Sequence, residues 1–286
     1  MKYTIIDPNM FDFNDVGGVS EALPSQPYYY DRINKIKLYG LDTFSMLPQI
    51  PDNCIDLIFT DPPYFLSSGG ITCQSGRMVS VDKGEWDKLK NIQEVHDFNM
   101  RWIKQCQRIL KPNGTIWICG TSHNIFSVGL ALQEAGCKIL NDIVWEKPAP
   151  PPNLSCRFFT HASEHIVWAA KDKNSRHTFN YELLREMAGG KQMKSVWHDI
   201  WLLPTVKKEE KIFGKHPTQK PVELVRRVVL ASSHSGDLVF DPFCGSATTG
   251  VVCKEEGRKF VGIDNEEKFL KTAVQRIDAA HRKQEV

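Results

Sequence analysis

Short apolar runs alternate with stretches of helical period along most of this chain. NKIKLYG (34–40) alternates apolar and polar positions and predicts a strand, and LDTFSMLPQI (41–50) reads as one helical stretch. CIDLIFTD (54–61) is a β-rich apolar run of the length expected for a buried parallel strand. Residues 65–85 are rich in Gly and Ser without a period and predict a long loop, of a length that usually marks either function or disorder. VHDFNMRWIKQCQRIL (95–110) has helical spacing and is expected to stop at the turn Lys111-Pro112-Asn113-Gly114. GTIWICG (114–120) is the next buried strand, and HNIFSVGLALQEAG (123–136) an amphipathic helix capped at Gly136.

NDIVWEKPAPPPNLSCRFFTHASEHIVWAAK (141–171) reads as two strands joined by a proline-rich connection. Residues 172–214 are polar and irregular and are expected to form a small inserted lobe. HPTQKPVELVRRVVLASS (216–233) is a helix with Pro221 in its first turn and Glu223 favouring its dipole. GDLVFDPFCGSATTGVVCKEEG (236–257) reads as strand, glycine turn, helix. RKFVGIDNEEKFLKTAVQRIDAA (258–280) reads as strand, acid, helix. Strands alternating with helices predict an α/β fold with a doubly wound, mostly parallel sheet. Four segments follow: an irregular extension over 1–30, a first half over 31–171, the lobe over 172–214 and a second half over 215–286.

Composition changes this picture little. The 286 residues, 41% of them hydrophobic, suit one large domain with a sizeable core. No apolar run approaches the roughly 20 residues of a membrane span, and the N-terminus lacks a basic-then-apolar signal, so a cytoplasmic protein is expected. The eight cysteines form no CxxC pair, which argues against a zinc ribbon; His161 and His165 sit in a loop leading into a strand, and no metal is expected. The net charge of +2 decides nothing about nucleic acid. Locally, 207–227 carries seven Lys/Arg against three Glu, enough to meet a phosphate backbone, although charge alone fits a solvated face as well.

The candidate chemistry sits at strand ends. DLVFDPFCGSATTG places a glycine turn between strand and helix, where parallel sheets bind ligands, and Asp264 ends the next strand where an acid can accept from both ribose hydroxyls. The turn lacks GxG, so pyrophosphate is disfavoured. Asp241 before it suits a cation, such as the amino group and sulfonium of S-adenosylmethionine. CIDLIFTD delivers Asp61 to the same edge. Pro62 and Pro63 cannot donate hydrogen bonds and fix φ, so the turn is stiff and its carbonyls are free. The Asp61 carboxylate and the Pro62 carbonyl form an acceptor pair that could hold both hydrogens of a planar amine. Tyr64 offers a ring face to a base taken out of its helix. Taken alone, those four residues equally describe a strand ending in a proline turn.

DPPY, DPFCGSATTG and HPTQKP together, in that order, resemble the permuted β group of amino DNA methyltransferases over roughly residues 31–280. The longer DPPYFLSSGGITCQSGRMVSVDKGEWD, with NLSCRFFTH and GKHPTQKP, is similar to the small second adenine-N6 methyltransferases of GATC restriction–modification systems. The resemblance implies a Rossmann-like methyltransferase fold with a small recognition lobe, S-adenosyl-L-methionine as cofactor and DNA, single- or double-stranded, as partner. It leaves room for a homodimer and implies no membrane. It gives Asp61, Pro62 and Tyr64 catalytic roles and sets Phe65 beside the base or the cofactor. It assigns the cofactor Asp42 at its adenine, Asp61 in a second role, His216, Thr218, Gln219 and Lys220 at its methionine end, the turn residues Asp241, Phe243, Gly245, Ser246, Thr248 and Thr249, and Asp264 at the ribose. Ala247 departs from the family's usual glycine and narrows the turn.

Asp rather than Ser before Pro-Pro-Tyr favours adenine N6 over cytosine N4 by association within the family; both side chains accept from an amine. Methylation of RNA or of a protein amide remains an alternative, although the amide enzymes usually carry the cofactor loop first. A nucleotide-dependent oxidoreductase lacks its GxGxxG here, and a silent DNA-binding protein would not need an intact DPPY. DNA contacts are expected from Arg77, Lys83 and Lys88 around the long loop, from Arg157, and from Lys207, Lys208, Lys211 and Lys215. The lobe 172–214 is expected to read the site.

Overall fold

Nine strands form one sheet in the computed structural model, which describes residues 12–13, 19–20, 26–65, 71–74, 77–80, 91–147, 150, 152–200, 212–214 and 219–281. In chain order they are β1 (Tyr29–Asp31), β2 (Ile36–Gly40), β3 (Ile55–Thr60), β4 (Leu110–Gly120), β5 (Lys138–Glu146), β6 (Ser163–Ala170), β7 (Val196–Trp197), β8 (Leu238–Asp241) and β9 (Lys259–Asp264). Across the sheet they lie β7-β5-β6-β4-β3-β8-β9-β2-β1. β4, β3, β8, β9 and β2 run parallel, whereas β6 is antiparallel to both its neighbours and β1 to β2.

Helices cover both faces, as the apolar strands require. The helices are α1 (Thr43–Met46), α2 (Ile92–Ile109), α3 (Ile125–Glu134), α4 (Tyr181–Met187), α5 (Val222–Ser232), α6 (Thr248–Glu255) and α7 (Glu267–Ala279). In β3, Ile55 and Ile58 pack under α1, α2 and α3, with Trp102, Ile103 and Leu132. Its Leu57 and Phe59 join the opposite core with Leu184, Val225, Val252 and Leu270 from α4 to α7. The sheet is therefore doubly wound, with two buried layers.

Strand direction decides what reaches the edge where β3, β8 and β9 end. Gly120, the last residue of β4, pairs with His165, so antiparallel β6 begins at that edge rather than ending there. β5 finishes beside it, Glu146 opposite Ser163, and the Lys147 N–H donates to the Ala162 carbonyl at 2.7 Å.

Several elements differ from the expected ones. The stretch 41–50 is a single α turn followed by a 3₁₀ turn at Leu47–Gln49, with Pro48 at the break. The turn expected at 111–114 lies inside β4: Leu110 pairs with Ile55 and Thr115 with Leu57, so the residues between form a bulge. Inside the loop expected over 65–85, Ile71–Gln74 and Arg77–Ser80 pair as an antiparallel hairpin. β1 falls partly in the stretch expected to be irregular, and the Tyr29 hydroxyl donates to Asp278 at 2.5 Å. Of 172–214, a few described residues pack on the sheet: β7 extends its edge, Leu184, Trp197 and Ile200 enter the core, and Arg227 pairs with Asp199 at 2.7 Å.

Candidate active site

Thr60 ends β3 and the chain leaves the sheet as Asp61-Pro62-Pro63-Tyr64-Phe65, with Phe65 in the left-handed region at φ 56°. That conformation is uncommon for a bulky residue. It is held here because the Phe65 ring is buried and meets Phe98 edge-on at 5.1 Å. The same bend turns Tyr64 inward, so that its hydroxyl donates to Asp61 Oδ1. Lys220, 7% exposed, donates from Nζ to Asp61 Oδ2 at 2.7 Å and to the Tyr64 hydroxyl at 3.0 Å, and its ammonium lies 5.3 Å from the Tyr64 ring centre.

Behind Lys220 stands Glu164, the second residue of β6. Its Oε2 is 3.3 Å from Lys220 Nζ, and its Oε1 pairs with Lys147. Burial would raise the Glu164 carboxyl, but the Lys220 and Lys147 ammonium groups outweigh it and bring the value down to about 2. Burial likewise works against the Lys220 charge, and the Asp61 and Glu164 carboxylates more than offset it. Burial, with Asp61 and Glu164 adding to it, raises the Tyr64 phenol, which stays a donor. The result is a row of alternating charge, Asp61, Lys220, Glu164, Lys147, whose middle members Lys220 and Glu164 are buried.

A cavity of about 310 Å³ opens beside this row and is bounded by the ends of β3, β8 and β9. One side is aromatic: Phe44, Phe98 and Phe243 form a chain with centroids 5.3 and 6.2 Å apart, and Phe269 also lines the cavity. The other side is acidic. Asp241, at the end of β8, accepts from the Thr249 hydroxyl at 2.8 Å and the Phe243 N–H at 3.1 Å, and burial pushes its carboxyl up to about 7. Asp264, at the end of β9, accepts from the Gly245 N–H at 2.9 Å and the Glu266 N–H at 2.8 Å, which ties the glycine turn to the next strand; burial raises its carboxyl too. Asp42 caps α1 by accepting from the Ser45 N–H at 2.9 Å. Ala247 is fully buried with φ 51°, a left-handed residue opening α6.

Most of the site expected from the sequence is brought together. Asp42, Asp61, Pro62, Tyr64, Phe65, Gln219, Lys220, Asp241, Phe243, Gly245, Ser246, Thr248, Thr249 and Asp264 all line the cavity. Their partners differ in places. Lys220 binds Asp61, Ser246 and Thr248 are tied by Arg276 at 2.9 Å each, and Tyr64 is only 6% exposed. His216, Thr218, Lys83, Lys88, Lys207, Lys208, Lys211 and Lys215 lie outside the described residues, as does the side chain of Arg77. Arg157 is exposed in the connection from β5 to β6, over the edge that carries the cavity. Sequence reading missed Glu164, Lys147, Phe44, Phe98 and Phe269. The SEHIVWAA pattern did carry one signal: an acid and a histidine at the start of an otherwise apolar strand.

A family model described as DNA methylase matches residues 55–275. The chain belongs to this family. The methylase is 53% identical over 264 residues to the type II methyltransferase M2.DpnII of Streptococcus pneumoniae, covering 92% of this chain and 95% of that protein. It is 53% identical over 263 residues to M2.LlaDCHI of Lactococcus lactis subsp. cremoris, with 92% and 94% covered. To M2.MboI of Moraxella bovis it is 48% identical over 251 residues, with 88% and 90% covered. Among solved structures, M1.HpyAVI in complex with SAM aligns with a TM-score of 0.59 at 24% identity, over 85% of this chain and 99% of that one. The cytosine-N4-specific PvuII DNA methyltransferase aligns with a TM-score of 0.66 at 21% identity, over 87% and 88%. At these identities the two structures speak for the fold.

Proposed function

We propose that the methylase transfers a methyl group from S-adenosylmethionine to the N6 amine of adenine in DNA, at GATC-like sites, as the modification partner of a type II restriction–modification system. The reading rests on one conjunction: the Asp61 carboxylate faces the cavity at the end of β3, in a chain about half identical to M2.DpnII, M2.LlaDCHI and M2.MboI over most of its length. Work on DNA inside the cell accords with a cytoplasmic protein, and no described helix is long and apolar enough to cross a membrane.

The cavity's chemistry fits that cofactor. Phe44, Phe98, Phe243 and Phe269 offer ring faces to a purine, Asp264 offers acceptors to ribose hydroxyls, and Asp241 an anion to a cationic tail. When bound, the cofactor would supply a methyl group on positively charged sulfur, to be taken up by the amine lone pair as the C–S pair stays on sulfur and the amine sheds a proton to water. Asp61 and the Pro62 carbonyl accept from the amine and hold its lone pair toward the cavity. Asp61 also carries the negative charge that stabilises the amine as it becomes positive. Tyr64 and Lys220 hold the carboxylate in place before the target amine enters. The six described buried cysteines have no part in this, since the transfer is direct.

Sequencing with modified-base detection on DNA from a methylation-free host expressing the methylase tests the reading. N6-methyladenine at GATC is the expected result, and N4-methylcytosine or an unmodified genome overturns it. The same protein assayed on single- and double-stranded oligonucleotides reads strand preference.

A further inference from the structure

Glu164 is a buried carboxylate that the transfer chemistry does not use, and it sits one side chain from the carboxylate that does. Its Oε2 is enclosed, makes no aligned hydrogen bond, and stands 3.3 Å from the Lys220 ammonium. Lys220 meanwhile occupies Asp61 Oδ2 at 2.7 Å, and Tyr64 occupies Oδ1. With both oxygens engaged, Asp61 has fewer lone pairs left for a target amine, and the Lys220 charge opposes the positive charge that the amine acquires. The ammonium is thus shared unequally between two carboxylates, bonded to the one the reaction needs and within reach of the one it does not.

We propose that Glu164 is a positioning residue that draws Lys220 off Asp61 when the target amine enters, so that Asp61 is freed to accept from the amine. The geometry supplies the three parts this requires. The acceptor lost by Lys220 is replaced by Glu164 Oε2, less than 1 Å farther from Nζ in the present arrangement. The move stays within a buried ion cluster, so no ammonium is left uncompensated, which is the costly outcome in an interior. Lys147 sets the strength of the pull, because it competes for the same carboxylate from the opposite side through Oε1. No bond is made or broken in this step; only hydrogen-bond partners exchange.

This inference rests on the methyl-transfer reading, and its test separates the two. Single-turnover transfer to a duplex oligonucleotide is measured for the full-length wild type, Glu164→Gln and Lys147→Met, with Kd for DNA and cofactor and thermal stability alongside. Glu164→Gln pins Lys220 on Asp61 and is expected to slow transfer by about tenfold or more, with both Kd values changed less than about threefold. Lys147→Met removes the competitor and is expected to speed transfer by about twofold or more. A purely structural cluster predicts instead that both variants are slower and less stable. A Glu164→Gln rate within about twofold of wild type, or a Lys147→Met rate unchanged or slowed, overturns the exchange. Should Glu164→Gln not fold, the Lys147→Met rate decides alone. A wild type that transfers no methyl group at all sinks the functional reading and this inference with it. A normal wild-type rate with the wrong ordering sinks only the exchange.

Discussion

In the parallel strands β3, β8 and β9, each acid sits where its strand finishes: Asp61, Asp241 and Asp264. In antiparallel β6, Glu164 sits where the strand begins, and its partner Lys147 directly follows the end of β5. The parallel acids face an open cavity and hold few cations of their own; Asp241 and Asp264 are braced by backbone N–H groups and a hydroxyl. The antiparallel acid faces inward and is paired on both sides by ammonium groups. In the proposed reaction one half of the sheet receives a cationic, hydroxyl-bearing ligand, and the other positions the cation beside the group that acts on the amine. Lys220, entering α5 from the loop before it, joins the two.

The largest test of this division is Asp61→Ala. It should cut transfer by about a thousandfold while leaving cofactor Kd within a fewfold, as read by isothermal titration beside single-turnover kinetics. Full activity in that variant would remove Asp61 from the reaction. Lys220→Met breaks the bridge between the halves and strands two buried carboxylates. It should cost about 3–5 kcal/mol, seen as a melting temperature lower by roughly 5–10 °C.

On the parallel side, Asp264→Ala should weaken cofactor binding by about tenfold or more through lost charged hydrogen bonds, with little change in the transfer rate of the saturated enzyme. A slower transfer step with unchanged Kd would erase the distinction between the halves. Asp241 sharpens the contrast through pH. Burial raises its carboxyl to about 7, and a cationic ligand group needs the ionised form, so binding below pH 7 must first expel a proton. Cofactor affinity should fall by about tenfold per pH unit below 7 and level off above it. Asp241→Asn should flatten that slope, which titration across the range reads directly. The smallest effect belongs to Ala247→Gly: relief of a left-handed alanine, about 1 kcal/mol, is offset by the loss of a buried methyl, about 0.8 kcal/mol. The melting temperature should stay within about 2 °C.

The legibility of the site follows the same division. Asp61, Asp241 and Asp264 stand out in the sequence because each closes an apolar run, and a parallel strand must deliver its last residue to the ligand edge. Glu164 follows no such rule. Only the antiparallel pairing of β6 with β4, His165 opposite Gly120, turns a strand's beginning toward that edge. Phe44 and Phe98 lie on or just inside helices, where an aromatic at helical spacing reads as core. Their separate role shows only when α1 and α2 are packed against β3 and β8. Lys220 was visible as part of HPTQKP, but its partner Asp61 lies 159 residues away in the chain, and Glu164 stands at the start of an antiparallel strand. The hairpin at 71–80 was hidden because Gly and Ser around it masked a short alternation.

By itself the chain's pattern determined the doubly wound sheet, the order of its motifs and the chemistry of the parallel strand ends, since apolar periodicity, prolines and terminal acids act locally. Tertiary structure decided which charges meet. The ion row Asp61, Lys220, Glu164, Lys147 draws its members from the end of β3, the end of β5, the start of β6 and the loop before α5, and burial of Lys220 and Glu164 makes those two charges require partners. No local rule contains that requirement, because an exposed charge has water and needs no partner.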